Sequence, residues 1–192
     1  MADQKNHAQG QTSPLRTPHR FITDHNPQGL AVFNTTLAPA LPAQAMQNGD
    51  KFYLGYTTTA FPPSFTNNAD ITSYARDLSD PPGVVRPGGT VLRLVDIRPG
   101  GESPMHRTVS LDYGVVLEGE VEAVLDSGQT RLLRRGDVVV QRGTNHLWRN
   151  ASGTEWARML YVLQEAQPVE VAGRALREDY GVGMEDVRPS GN

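Results

Sequence analysis

From Thr90 onward the chain breaks into short apolar runs, each stopped by a glycine-containing turn, and this rhythm constrains the fold more than any other feature. Val91-Leu-Arg-Leu-Val-Asp-Ile97 alternates in polarity and ends at Pro99-Gly-Gly101. Val115-Val-Leu117 stops at Glu118-Gly119, and Val121 to Leu125 stops at Asp126-Ser-Gly128. Arg131-Leu-Leu133 ends at Arg135-Gly136, Asp137 to Gln141 ends at Arg142-Gly143, and Trp156 to Leu163 closes the series. Extended segments with turns every 8–12 residues or so predict an antiparallel sandwich or barrel. Nothing alternates with long helices, which argues against a parallel α/β fold. No internal repeat points to a second barrel in the chain.

A barrel is therefore expected over residues 90–165. Residues 21–89 read as an arm that wraps it, with strands at Leu30-Ala-Val-Phe33 and Lys51 to Thr58. A short helix is expected over Ala69 to Leu78, with Asn67 or Asn68 as its cap and Ile71, Ala75 and Leu78 on one face. Residues 1–20 are polar and poor in apolar anchors, so a mobile tail is expected there. Residues 166–192 form a C-terminal extension, with the same polar texture from about Gly181. At 192 residues the chain suits one domain.

Composition removes whole classes of function. There is no cysteine, which excludes disulfide scaffolds, thiolate metal sites and cysteine nucleophiles. A formal charge of −3 without a run of Lys or Arg argues against a nucleic-acid binder. No apolar stretch approaches the roughly 20 residues that cross a bilayer. The first residues carry no apolar signal core, so a cytoplasmic protein is expected. Serine-triad, P-loop and dinucleotide patterns are missing, and Gly181-Val-Gly183 lacks the third glycine of a dinucleotide fingerprint.

Of five histidines, His7, His19 and His25 read as solvated, whereas His106 and His146 lie inside the strand-rich block. His106, Thr108 and Asp112 share parity, so an extended backbone would aim them at one side. Arg107 has the opposite parity and is expected on the surface. Trp148 shares parity with His146, and Met159, Tyr161 and Leu163 alternate, so some of these residues line any cavity.

Gly100, His106, Asp112 and Gly119 carry the spacing of a glycine, five residues, His-x-His, three or four residues, Glu, six residues, glycine. Gly136, His146 and Asn150 carry most of a second spacing: glycine, five residues, Pro-x-Gly, two residues, His, three residues, Asn. Together they resemble the two motifs of the cupin superfamily. The strings Met105-His-Arg-Thr108 and Val140-Gln-Arg-Gly-Thr144 are also similar to those of fungal cupin proteins found near secondary-metabolite genes. The resemblance implies an all-β double-stranded β-helix, a jelly-roll barrel that commonly pairs as a homodimer.

In metal-binding cupins two motif-one histidines, the Glu and the motif-two histidine hold the ion. Here Thr108 replaces the second histidine, Asp112 replaces the Glu, and Arg142 stands at the usual proline. The resemblance thus implies His106, Asp112 and His146 as ligands of one divalent metal (Fe, Zn or Mn) and as the catalytic groups. Thr108, Arg142, Trp148 and Tyr161 are the expected substrate contacts. The expected activity is metal-dependent non-oxidative chemistry on an aromatic or polyketide-like acid or carbonyl compound: decarboxylation, dehydration, isomerisation or cyclisation. An Fe(II)-dependent dioxygenase is the first alternative and a metal-free small-molecule-binding barrel the second.

Overall fold

Side chains that alternate in the sequence alternate across the strands they form. A computed structural model describes residues 13–183 and 185–190. Strands β1 (Ile22–His25) and β2 (Ala31–Asn34) make an antiparallel hairpin, followed by β3 (Gln44–Ala45) and β4 (Lys51–Thr58). After the helix α1 (Ala69–Ser79) come β5 (Thr90–Ile97), β6 (Ser110–Glu118), β7 (Glu120–Leu125) and β8 (Thr130–Arg134). Strands β9 (Val138–Arg142), β10 (His146–Asn150) and β11 (Ala157–Glu165) complete the barrel, and a small hairpin of β12 (Val169–Val171) and β13 (Arg174–Leu176) follows.

The expected all-β barrel is present. One sheet runs β3-β4-β5-β11-β6-β9 and the other β10-β7-β8, every pair antiparallel. Neighbours distant in sequence, such as β5 with β11, are what distinguish a jelly roll from a simple meander. Val95, Ile97, Val116, Val121, Ala123 and Met159 fill the space between the sheets. Each fully buried aliphatic side chain of this kind contributes about 1.5–3 kcal/mol. A second cluster, Leu54, Tyr74, Val85, Val91 and Leu163, seats the helix against the large sheet. At the β6–β7 turn Gly119 has φ of 74°, and a Cβ there would lie 3.0 Å from the Ala157 Cβ. Only glycine suits both conditions.

The arm departs from expectation in its helix. Of the expected face, Ile71 is buried and Leu78 is half-buried against the core, but the fully buried stripe of α1 is Ile71, Tyr74 and Asp77. Tyr74 donates to the Leu54 carbonyl at 2.7 Å and Asp77 accepts from Thr57 at 2.5 Å, so polar bonds set the rotation of the helix. Asn68 stands at the cap position without capping; its side chain donates to Asp24 instead.

Both expected tails need correction. Residues 1–12 lie outside the described residues, but Ser13 to Arg20 are bound to the barrel. Ser13 donates to Asp96 at 3.2 Å, the Arg16 carbonyl accepts from Arg158 at 2.8 Å, and His19 bridges to Ala40. At the other end Val187 and Ser190 are buried, and Ser190 accepts the Val85 amide at 3.0 Å. Polar side chains satisfy backbone groups here, so a polar segment docks without a large apolar anchor.

Candidate functional site

Between the sheets lies a cavity of about 90 Å³, lined mostly by apolar surface. Its polar groups come from both sides. Backbone pairing fixes the first of them: His106 donates its amide to the His146 carbonyl at 2.9 Å, and His146 returns the bond at 2.9 Å. The pair sets the two rings side by side, with centroids 4.4 Å apart.

Each ring is locked by a second bond. Nδ1 of His106 lies 2.9 Å from the Pro104 carbonyl, and Nδ1 of His146 lies 2.9 Å from the Thr144 carbonyl. A carbonyl only accepts, so each Nδ1 carries the hydrogen and each Nε2 keeps a bare lone pair. Both residues are buried. Burial holds His106 below the ordinary imidazole range, and burial with repulsion from His106 takes His146 down to about 3. At neutral pH both are uncharged bases.

The strand parity read from the sequence holds through this region. His106, Thr108, Ser110 and Asp112 are all buried, and Thr108, Asp112 and both histidines line the cavity. Ser110 donates to Asp112 Oδ1 at 2.5 Å, Thr108 donates to Oδ2 at 3.3 Å, and the two hydroxyl oxygens are 2.8 Å apart. Burial raises the Asp112 carboxyl to about 6, against the downward pull of these hydroxyls. It is therefore poised to hold or release a proton near neutral pH.

Trp148 and Tyr161 also line the cavity, as expected. Trp148 meets His146 edge-on at 5.3 Å and leans on Tyr161 at 5.4 Å. Burial lifts the Tyr161 phenol far above its ordinary range, so it stays a neutral hydroxyl. Arg142 must be corrected. On β9 Val139 and the buried Gln141 face inward, while Val138, Val140 and Arg142 face out. The arginine borders a surface groove beside Gly143 and Val169, not the cavity. Arg107 is engaged through its backbone with Asp179.

Arg93 and the C-terminal segment bring residues to the cavity that were not singled out from the sequence, and Ser110 supports Asp112 from outside the lining. Arg93 of β5, buried at 5% exposure, reaches in from the large sheet. The signal was present: Val91, Arg93, Val95 and Ile97 share one parity, and three of the four are core residues. Ser110 belongs to the same inward row as Asp112. Asp186 and Val187 of the C-terminal segment complete the lining, and no pattern in their polar stretch marked them.

The donors can be weighed against the metal centre that the family resemblance implies. Two bare Nε2 atoms in one cavity are good ligands, and their Nδ1–carbonyl bonds are the outer support metal-binding histidines use. The third ligand is missing from the arrangement. Asp112 is engaged with Ser110 and Thr108, and no group of three His, Cys, Asp or Glu side chains that could hold a metal ion exists among the described residues. The residues present do not fit a three-ligand centre.

Comparison with known proteins agrees with the barrel. Residues 93–163 match the Cupin_2 family, described as a cupin domain. The chain is 59% identical over 186 residues to phomopsin biosynthesis cluster protein D of Diaporthe leptostromiformis, covering 96% of this chain and 98% of the relative. It is 45% identical to oryzines biosynthesis cluster protein J of Aspergillus oryzae, covering 85% of this chain and 91% of the relative. A cupin-domain-containing oxidoreductase of Neurospora crassa is 40% identical, with 90% of this chain and 86% of the relative covered. No helix among the described residues is long and apolar enough to cross a membrane.

Proposed function

This chain belongs to the cupin family, and from that premise we propose that it is a small-molecule enzyme of secondary metabolism that works by proton transfer inside its barrel. The observation that carries the reading is the convergence of two neutral imidazoles and a protonatable carboxyl on one cavity. Asp112, held near 6 and supported by Ser110 and Thr108, is the group that takes a proton from the substrate and gives it back near neutral pH. His106 and His146, kept neutral by burial, present bare Nε2 lone pairs that accept hydrogen bonds and orient the substrate. Tyr161 offers a neutral donor to a developing oxyanion, and Trp148 packs the apolar body of the substrate. Dehydration, isomerisation and cyclisation of a carbonyl compound need only these transfers. The relatives encoded in phomopsin and oryzine biosynthesis clusters support a role in such a pathway.

The test is turnover. The purified protein is incubated with a panel of small aromatic and carbonyl acids, and products are followed by mass spectrometry with and without chelator. The expected product has unchanged mass or has lost water or carbon dioxide, without oxygen uptake. His146→Ala and Asp112→Asn should each lower kcat/KM by about 100-fold or more, as for a lost orienting group and a lost acid–base group, while circular dichroism stays unchanged. Full activity in both variants refutes the proposal.

A second reading is favoured by one observation, the oxidoreductase name of the Neurospora crassa relative. In that reading His106 and His146 would be ligands of an iron ion in an oxygen-consuming reaction. Substrate-dependent oxygen uptake that is lost in chelator would replace the acid–base reading with this one.

A homodimer is part of the proposal. Phe21, Leu30 and Phe33 stand exposed around the β1–β2 hairpin, and burial against a second copy would remove this apolar surface from water. Sedimentation velocity should give twice the chain mass; a monomer at micromolar concentration would contradict it.

A further inference from the structure

Among the described residues Arg93 is a buried cation without a counter-ion. Its guanidinium lies 5.2 Å above the Phe52 ring, and Nη2 donates to the Gly83 carbonyl at 3.3 Å, a long bond. Nε is buried with no partner at all. Among the described residues no carboxylate forms a salt bridge with it, although the side chain is almost fully removed from water. A buried unpaired charge is costly, and a hydrogen-bonded anion offsets that cost. Burial alone draws its basicity down, to about 10, so it remains charged at neutral pH.

The acids that share the cavity are already held elsewhere. Asp50 accepts from the Arg98 amide at 3.0 Å and from Asn48 at 2.8 Å. Asp186 accepts the Gln47 amide at 2.9 Å, and Asp112 is tied to Ser110 and Thr108.

We infer that Arg93 is the anchor for the carboxylate of the ligand, and that the substrate class is a small single-ring acid. The guanidinium fork matches a carboxylate bidentately. Arg93 belongs to the large sheet and the imidazole pair to the opposite wall. A ligand pinned by its acid group thus turns its other end toward the imidazoles. Size narrows the class further. A cavity of about 90 Å³ is smaller than the roughly 150 Å³ that encloses benzene, so it admits no more than a single ring, whose far edge lies toward the open side. Phe52, Trp148 and Tyr161 supply aromatic walls for a flat ring.

This inference rests on the cavity being the substrate site, as proposed above. Its test is binding, so it can fail independently of turnover. Calorimetry compares benzoate with its neutral isostere benzamide on the full-length protein. Benzoate should bind about 10- to 100-fold tighter, the range of a charge-assisted bond pair, and Arg93→Met should erase the difference. Equal affinities in the wild type, or no binding of either probe at millimolar concentration, overturn the inference. So does undiminished benzoate binding by Arg93→Met. Should the Met variant fail to fold by circular dichroism, Arg93→Gln makes the same comparison, and the wild-type arm stands without any variant. Benzoate selectivity with no turnover of any acid would sink the acid–base reading alone. Turnover of neutral compounds without benzoate selectivity would sink the anion anchor alone.

Discussion

Burial drives the Asp112 carboxyl up to about 6 while the buried histidines are driven down, and the two effects act on stability with opposite sign. Asp112 binds a proton more tightly folded than unfolded, so its contribution is full at low pH and is lost as pH rises from about 4 through about 6. The histidines are protonated more readily when unfolded, so their contribution is present above 6.5 and is lost as pH falls below it. Asp112→Asn removes only the first effect. Relative to wild type, the variant should gain about 1 kcal/mol between pH 5 and pH 7.5, read from urea unfolding at both values. An unchanged difference would mean that Asp112 is not a buried, neutral-leaning acid. At this scale strand parity was a dependable guide for residues 106–112. Arg142 was expected at the ligand from its motif position and its charge alone, and the alternation of β9, which buries Gln141, turns it outward.

At the level of elements, the strands are held by polar clasps as well as apolar packing. Arg158 of β11 grips Asp96 of β5 with two bonds of 2.5 and 2.7 Å, and Asp96 is fully buried. Tyr53 adds a third contact from β4. Removing one partner leaves a buried charge alone, so Arg158→Met should cost about 3–5 kcal/mol; a loss below about 1 kcal/mol in denaturant titration would contradict this. Asn150 closes the β10–β11 turn, its amide donating to the carbonyls of Ile97, Arg98 and Glu155. That role was readable from its motif position. The rotation of α1 was not, because Tyr74 and Asp77 are placed by bonds to Leu54 and Thr57, partners remote in sequence. Gly83 is a further contact of this kind: a Cβ there would lie 2.7 Å from the Arg188 carbonyl, a backbone atom. Gly83→Ala should loosen the C-terminal segment, seen as faster amide exchange at Val85, whose N–H is bonded to Ser190.

Over the whole molecule, the antiparallel barrel was legible because the period-2 pattern and the glycine turns act locally, whereas long-range pairings such as β5 with β11 leave no local mark. The wrapping segments were not, because Ser13, Ser190 and Asp186 are ordinary polar residues whose partners become visible only in three dimensions. The C-terminal segment matters for function since Asp186 and Val187 line the cavity. The imidazole pair is the centre of the account, and nitrogen-15 NMR of the histidine side chains observes it most directly. From pH 8 down to 5.5 the His146 ring should stay neutral and the His106 ring should titrate only below the ordinary imidazole value, each neutral ring carrying its hydrogen on Nδ1 with Nε2 bare. Titration of either ring near 6.5, or a hydrogen on either Nε2, would contradict the proposed chemistry at its source.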